Sequence, residues 1–466
     1  MMKVHSGIDN TAIVACCTAQ GKGAIALLRI CGDNVFSLVD KTVRLASGKK
    51  LVHAQTHTIH YGYVLDKEEQ HLDQVLFFLM KGPRTFTGQD TIEITCHNNP
   101  FIIHALIDRL TACGARIARP GEFTQRAVMN EKMDLLQAEA LHELIVAPSR
   151  ASAQAALRQL EGSLSHVAYA VEQELLTLAV WIEASFEFLD EEQRDIDFRA
   201  QVEEKLAHVT QTVQSVLASQ SALQILKSGI RIALIGSVNA GKSTLLNALL
   251  GTDRAIVSDE AGTTRDTIEA GVQQDGYAWT FIDTAGLRAT HNSIEQAGIE
   301  RSHKEGARAD IILLVVDASR AITDDERALY DHVFSLYSEK CILVLTKKEL
   351  PQQEHAFFDK KSAEKIAVSS LTKDGIAHLQ EMIKDRVKHL YEASSTPYVL
   401  NVRQHNVLSD IERRLAKIES SFRAQVGYEL LAIDVRDALT LLTDLTGKGV
   451  SEAVMDKVFS SFCVGK

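Results

Sequence analysis

Gly236-Ser237-Val238-Asn239-Ala240-Gly241-Lys242-Ser243 is the stretch that decides how this 466-residue chain is read. It matches GxxxxGK[ST] at every fixed position. An apolar run, Ile230 to Ile235, precedes it, and Thr244-Leu245-Leu246-Asn247-Ala248-Leu249-Leu250 follows with helical character. Strand, glycine-rich loop and helix in that order make a phosphate cradle. Loop N–H groups and the positive end of the helix converge on one anion. Lys242 supplies a point charge to the outer phosphates, and Ser243 offers a hydroxyl to Mg2+. The expected contacts are therefore Asn239, Ala240, Gly241, Lys242, Ser243 and Thr244. The competing reading is a chance glycine-rich turn, and the flanking strand and helix argue against it.

Segments further along fit the same site. Gly262-Thr263-Thr264-Arg265-Asp266 brings two hydroxyls, and Thr264 is expected to be the second on Mg2+, held while a γ-phosphate is present. The run Trp279 to Ile282 ends in Asp283-Thr284-Ala285-Gly286. Asp283 is expected to hold a Mg2+ water, and the Gly286 N–H to sense the γ-phosphate. Ile342 to Leu345 then leads into Thr346-Lys347-Lys348-Glu349, where GTPases usually carry Asn-Lys-x-Asp. An acid there accepts two hydrogen bonds from the guanine edge that adenine cannot donate. Glu349 keeps the charge with one more methylene, whereas Thr346 cannot reproduce both contacts of an amide. Ser369-Ser370-Leu371 stands where Ser-Ala-Lys is usual. Alone, Lys347 and Lys348 would read as a solvated turn; at the end of this strand they read as part of a base-binding loop. GTP is expected over ATP, with weaker affinity than the full motif would give.

Composition sets outer bounds. Hydrophobic residues are 45% and charged residues 24%, which excludes disorder for most of the length. Lys plus Arg is 50 and Asp plus Glu is 61, giving a net charge of −11, so bulk charge does not coat the chain with nucleic acid. Seven cysteines without a CxxC pair argue against a disulfide framework or zinc ribbon and for a reducing compartment. Met1, Met2 and Lys3 lead into His5, Ser6 and Asp9 without an apolar export segment. No apolar run approaches the roughly 20 residues of a membrane span. A cytoplasmic protein without a membrane partner is expected.

The length suggests about three domains. Residues 1–125 carry short strand-like runs, Ile13 to Cys17, Ala24 to Ile30, Gln74 to Met80 and Thr91 to Cys96, with His60 to Leu65 as a further one and Thr42 to Ser47 too polar to assign. Phe101 to Ala112 has helical period, and Gly114 sits where a C-cap would be. This is an α+β domain. Residues 126–228 are helix-like: Gly162 and Pro148 alone interrupt residues 131–228, and Leu157, Leu160, Leu164, Leu175, Leu178, Val180 and Ile182 fall at helical spacing. Residues 386–466 return to that style, with Ile411, Leu415, Ile418 and Phe422 on one face. Between them, 229–385 alternates apolar and amphipathic runs, the pattern of a parallel α/β sheet. The expected fold class is multidomain α/β: an N-terminal α+β domain, a discontinuous all-α helical domain and a P-loop α/β domain inserted in it.

With those motifs in place the chain resembles the MnmE (TrmE) family of tRNA modification GTPases, within the TrmE-Era-EngA-YihA-Septin-like class. The resemblance rests on the phosphate loop with its Asn, the GTTRD loop, DTAGLR followed by Ile294-Glu295-Gln296-Ala297-Gly298-Ile299-Glu300-Arg301, and the stretches GKGAIALLRICG, FTGQDTIEI and RPGEFTQRA. It extends to the ending Phe462-Cys463-Val464-Gly465-Lys466. The resemblance implies a homodimer whose N-terminal domain dimerises and binds 5-formyltetrahydrofolate or a related tetrahydrofolate. It implies work with a flavin-containing, MnmG-type partner in a heterotetramer or larger complex, adding a carboxymethylaminomethyl-type group to carbon five of the wobble uridine of certain tRNAs. Arg29, Glu93, Lys132 and Lys466 are carried over as the folate site. A carboxylate suits a pterin edge, and Arg and Lys suit the anionic tail; without the resemblance, Arg29 and Glu93 would read as structural polar residues. Cys463 is a candidate only, its alternative being a small buried hydrophobe. His97-Asn98-Asn99 departs from the family's His-Gly-Gly, and left-handed asparagines in a locally altered loop are expected.

Leu287 follows the DxxG stretch where Ras-like proteins place a water-orienting Gln. The resemblance implies that K+ supplies the missing charge and that nucleotide domains pair when it binds. Asn239, Ser258, Glu260 and Thr263 are its expected ligands, with Asp259, Ala261 and Gly262 in the same nucleotide-contacting loop. Glu295 is the expected residue to position the attacking water, alongside Lys242 and Asp283. Two other readings stay open: a ribosome-associated or regulatory RNA-binding GTPase, disfavoured because no KH, RNP or basic-patch signature is present, and a non-enzymatic dimerising scaffold.

Overall fold

The computed structural model describes residues 9–19, 21–187, 196–218, 229–251, 268–274, 277–283, 306–353, 358, 364–393, 398–424, 426–450, 452–460, 462 and 464–465. The chain divides into two compact units, one of residues 1–142, 160–212 and 407–466, the other of 143–159 and 213–406.

The first unit is built on seven strands: β1 Ile13–Cys16, β2 Ile25–Cys31, β3 Val43–Leu45, β4 Thr58–Leu65, β5 His71–Met80, β6 Thr91–His97 and β7 Arg116–Ile117. They lie in the order β3-β4-β5-β6-β2-β1-β7. All neighbouring pairs are antiparallel except β1 with β7. Alternation along β2, β5 and β6 sends Ala26, Leu28, Ile30, Val75, Phe77, Leu79, Ile92 and Ile94 into one core with α1 Val35–Val39 and Leu106 and Leu110 of α2 Pro100–Ala112. Thr42 to Ser47, too polar to assign from sequence, contains β3, whose Val43 and Leu45 are buried on either side of exposed Arg44. The Asn98-Asn99 turn is not left-handed at Asn99, which has φ −115°. Its side chain caps α2 by accepting from Phe101 N at 2.9 Å, while Asn98 Nδ2 donates to Gly21 O at 2.9 Å.

Helices α3 Glu122–Met129, α4 Leu135–Val146, α5 Arg150–Leu160, α6 Ser163–Glu187 and α7 Ile196–Leu217 follow in sequence. Within the first unit, Leu164, Val171, Leu175, Leu178 and Ile182 of α6 are buried, as are Ile411, Leu415, Ile418 and Phe422. Leu157 and Val180, counted among the apolar positions from spacing, are exposed at 44% and 63%.

The second unit holds strands β8 Ile230–Gly236, β9 Ile268–Gln274, β10 Tyr277–Asp283, β11 Ile311–Asp317, β12 Cys341–Thr346 and β13 Glu364–Ala367, in the order β13-β12-β11-β8-β10-β9. Five are parallel; β9, unread in the sequence, runs antiparallel on the edge. β11 is buried at all seven positions, as befits a central strand covered on both faces. Helices α8 Lys242–Leu250, α9 Asp324–Tyr337 and α10 Ile376–Ala393 accompany this sheet. The chain closes with α11 Val402–Arg423, α12 Tyr428–Thr446 and α13 Glu452–Phe459. In the first unit α12 packs on α6 through buried Leu431, Val435, Ala438 and Leu442.

Candidate functional site

β8 ends at Gly236 and α8 begins at Lys242, so the phosphate-loop octapeptide is the turn between a buried strand and a helix N-terminus. At Gly236 an added Cβ would lie 2.2 Å from the Val315 carbonyl oxygen, which leaves room for glycine alone. Gly241 precedes the helix at φ +91°, a left-handed backbone that other residues adopt only with strain. Asn239 shares the left-handed region at φ 63°. Val238 and Asn239 form an exposed apex, and Ala240 is buried beneath it. Lys242 is buried, and its Nζ donates to Gly236 O at 2.8 Å and Ser237 O at 2.7 Å. Ser243 and Thr244 stand exposed on the first turn of α8. Asp283 closes β10 in register with Leu234 of β8, beside the loop.

Thr346 closes β12 and is buried. Its hydroxyl lies 2.6 Å from Ala240 O and 3.1 Å from Val316 O. It ties the base loop to the phosphate loop, though with one proton where an amide would have two. Lys347 takes φ 60° and places Nζ 2.6 Å from Asp317 Oδ2 at the end of β11. Burial pushes the Asp317 carboxyl up, but the bonds from Lys347 and Ser319 outweigh it and hold the group below its ordinary value. Lys348 pairs with Asp374 at 2.8 Å, and its N–H donates to Val368 O at 3.2 Å. Glu349 is exposed, and a hydrogen bond from the buried Ser369 hydroxyl holds its carboxyl below the usual range. Thr346, Lys347, Glu349 and Ser369 thus gather at the carboxyl ends of β11, β12 and β13, the edge where open α/β sheets bind ligands. Ser258, Asp259, Glu260, Ala261, Gly262, Thr263, Thr264, Thr284, Ala285, Gly286, Glu295, Cys463 and Lys466 lie outside the described residues.

A second polar cluster sits on the face of the first unit's sheet opposite the core of Leu28 and Ile94, beside buried Phe123. Arg29 of β2 and Glu93 of β6 are register partners, with Nε and Oε1 2.8 Å apart. The Arg29 guanidinium lies 5.5 Å from the Phe86 ring and 5.6 Å from Phe123. Lys132 is exposed, and its Cε would touch a Cβ on Gly88 at 3.0 Å, which places it against the loop that carries Phe86. Sequence reasoning missed what holds that loop. The Gln89 side chain accepts from Arg126 at 3.0 Å and donates to Asn10 at 2.7 Å. Arg126 also reaches buried Glu122 at 3.2 Å, which takes a fork from Arg116 at 2.5 and 2.7 Å. The visible signal was three arginines, 116, 119 and 126, around a single glutamate. Near the chain end, Phe462 is buried and stacks on His142 at 4.7 Å, and Cys17 Sγ donates to Gly465 O at 3.0 Å.

A glycine loop between strand and helix, at the carboxyl edge of a mainly parallel sheet, defines a P-loop nucleotide-binding protein. Residues 12–132 match the family model described as GTP-binding protein TrmE N-terminus, and residues 135–463 match MnmE helical domain. The chain belongs to the MnmE (TrmE) family. It is 35% identical to the tRNA modification GTPase MnmE of Parabacteroides distasonis, over 98% of this chain and 100% of that one. Against the protein of the same name from Thermotoga maritima the identity is 33%, over 97% and 99%. Among solved structures, the G domain of T. maritima FeoB is similar at 25% identity and a TM-score of 0.27, covering 34% of this chain and 98% of that one.

Proposed function

We propose that this chain is a GTP-hydrolysing tRNA modification enzyme. The observation that carries the reading is the tie from Thr346 to Ala240, which joins a phosphate loop to a loop bearing the acidic Glu349. Lys242 sits at the outer phosphates, the helix N-terminus of α8 stabilises the anion, and Glu349 accepts from the guanine edge. The donor set suits a hard cation: Ser243 presents an exposed hydroxyl at the helix start, Thr264 is the proposed second hydroxyl, and Asp283 is proposed to hold a Mg2+ water. Asn239 at the loop apex would hold K+ together with Ser258, Glu260 and Thr263. These cations, when bound, offset charge that develops on the phosphates. Glu295 is proposed to position the attacking water.

The Arg29–Glu93 pair with its two aromatic neighbours fits a tetrahydrofolate, whose flat, donor-rich pterin a carboxylate and aromatic rings can hold and whose anionic tail Lys132 and Lys466 can meet. Bound there, the folate would supply the one-carbon unit for carbon five of the wobble uridine. The working form is proposed as a cytoplasmic homodimer with a flavin-containing, MnmG-type partner. Among the described residues no helix is long and apolar enough to cross a membrane. The test is mass spectrometry of wobble uridines in a deletion strain complemented with the wild type or with a chain lacking Val464–Lys466. The wild type should restore the modification and the truncated chain should not, while purified truncated protein still hydrolyses GTP, faster in K+ than in Na+. Unchanged uridines in the deletion strain would remove the tRNA reading, and equal rates in the two salts would remove the K+ reading.

A further inference from the structure

The phosphate loop is held from outside at two of its variable positions. At its far end Thr346 holds Ala240. At its near end the fastening is Ser237, a variable position of the motif. Tyr330 donates its hydroxyl to Ser237 Oγ at 3.3 Å. The Glu326 carboxylate lies near enough to the Ser237 hydroxyl to be held down by it. Both partners are buried and lie one turn apart on α9, whose Thr323–Glu326 capping box fixes its first turn. Arg320 grips the same carboxylate with two bonds of 2.5 and 2.9 Å and lies 3.6 Å from Asp317, the partner of Lys347. Ser237 also offers its carbonyl to Lys242 at 2.7 Å. One chain of contacts therefore runs from the base loop, through Asp317, Arg320 and Glu326, to the first turn of the phosphate loop. Between the two fastenings only Val238 and Asn239 are exposed.

We infer that Ser237, Glu326 and Tyr330 are positioning residues that pre-form the phosphate loop for nucleotide. The inference rests on the reading of this site as a guanine-nucleotide site. A loop already held in shape loses little conformational freedom when phosphate arrives, whereas a released loop must be ordered at that moment, and the cost appears as weaker binding. Loss of such a buried hydrogen bond is worth about tenfold in affinity. The cost falls on GDP and GTP alike, and on KM rather than kcat, because the loop is in the same shape once nucleotide is bound.

The test is calorimetry with GDP and steady-state GTP hydrolysis on the full chain. Ser237→Ala, Glu326→Gln and Tyr330→Phe should each raise the GDP Kd about tenfold with undiminished stoichiometry. Ser237→Ala with Tyr330→Phe should cost little more than either alone, since both break the same bond. Ser237→Thr, which keeps the hydroxyl, should restore the wild-type Kd. A merely destabilised fold would lower the stoichiometry, with the Kd of the folded fraction unchanged and no rescue by Thr. Wild-type GDP affinity in Ser237→Ala, or a Ser237→Thr variant as weak as Ser237→Ala, would overturn the inference. A wild-type chain that binds no GDP would overturn the nucleotide reading itself.

Discussion

The two halves of the nucleotide site are built by different means. The phosphate half is a contiguous octapeptide proposed to bind through its backbone, and each constrained position, Gly236 under Val315 O and Gly241 at φ +91°, carries the residue its geometry demands. The base half departs from the usual Asn-Lys-x-Asp at two of its three fixed positions, and it is assembled from residues scattered over three strand ends. Thr346 leans on Ala240, Lys347 on Asp317 and Glu349 on Ser369. The difference teaches that a motif read by backbone amides tolerates little change, whereas one read by side chains can shift its load onto neighbours.

If the comparison is right, damage to the phosphate half is the more severe. Lys242→Ala removes the one buried cation of the loop, and GTP hydrolysis should fall by roughly 10²–10³, as when a preorganised transition-state donor is lost. Retention of most of the activity would mean that another cation carries the role. The base half should instead show its effect as discrimination. Wild-type protein should prefer GDP to ADP by about 100-fold, and Glu349→Gln should lose most of that preference while its hydrolysis of saturating GTP changes far less. Equal wild-type affinity for GDP and ADP, measured by calorimetry, would sink the assignment of Glu349 to guanine.

The smallest expected effect is on stability in acid. Burial raises the Glu326 carboxyl, but the bonds from Arg320, Ser237 and Thr323 prevail and bring it from an ordinary 4.5 down to about 2. A carboxyl lowered in the folded state stabilises the fold fully above its unfolded value and ceases to do so as pH falls through the folded one. Denaturant midpoints should therefore decline between about pH 4.5 and pH 2, and Glu326→Gln should flatten that part of the curve. An identical acid limb in the variant would show that the Arg320–Glu326 pair contributes nothing to folding.

Much of this was legible in residue order. The apolar runs from Ile230, Ile311 and Ile342 are strands because each is short, β-branched and bounded by polar turns, and the loop after the first could be placed to the residue. Helical spacing found Ile411, Leu415, Ile418 and Phe422, all buried. The same spacing included Leu157 and Val180, which face solvent, because periodicity marks a stripe and not what covers it. β3 and β9 escaped notice because each is a short or polar edge element that owes its state to the strand beside it.

Sequence by itself determined the phosphate loop, the strands around it and the family, since these depend on local backbone needs written in consecutive residues. Tertiary structure alone decided the pairings. Arg29 meets Glu93 through the β2–β6 register, Arg126 of α3 meets Gln89 in the loop before β6, and Ser237 meets Glu326 and Tyr330 because α9 brings them to the loop. Such contacts join residues 37 to 93 positions apart, and no local pattern encodes them: they follow from strand register and helix placement, which the whole chain settles together.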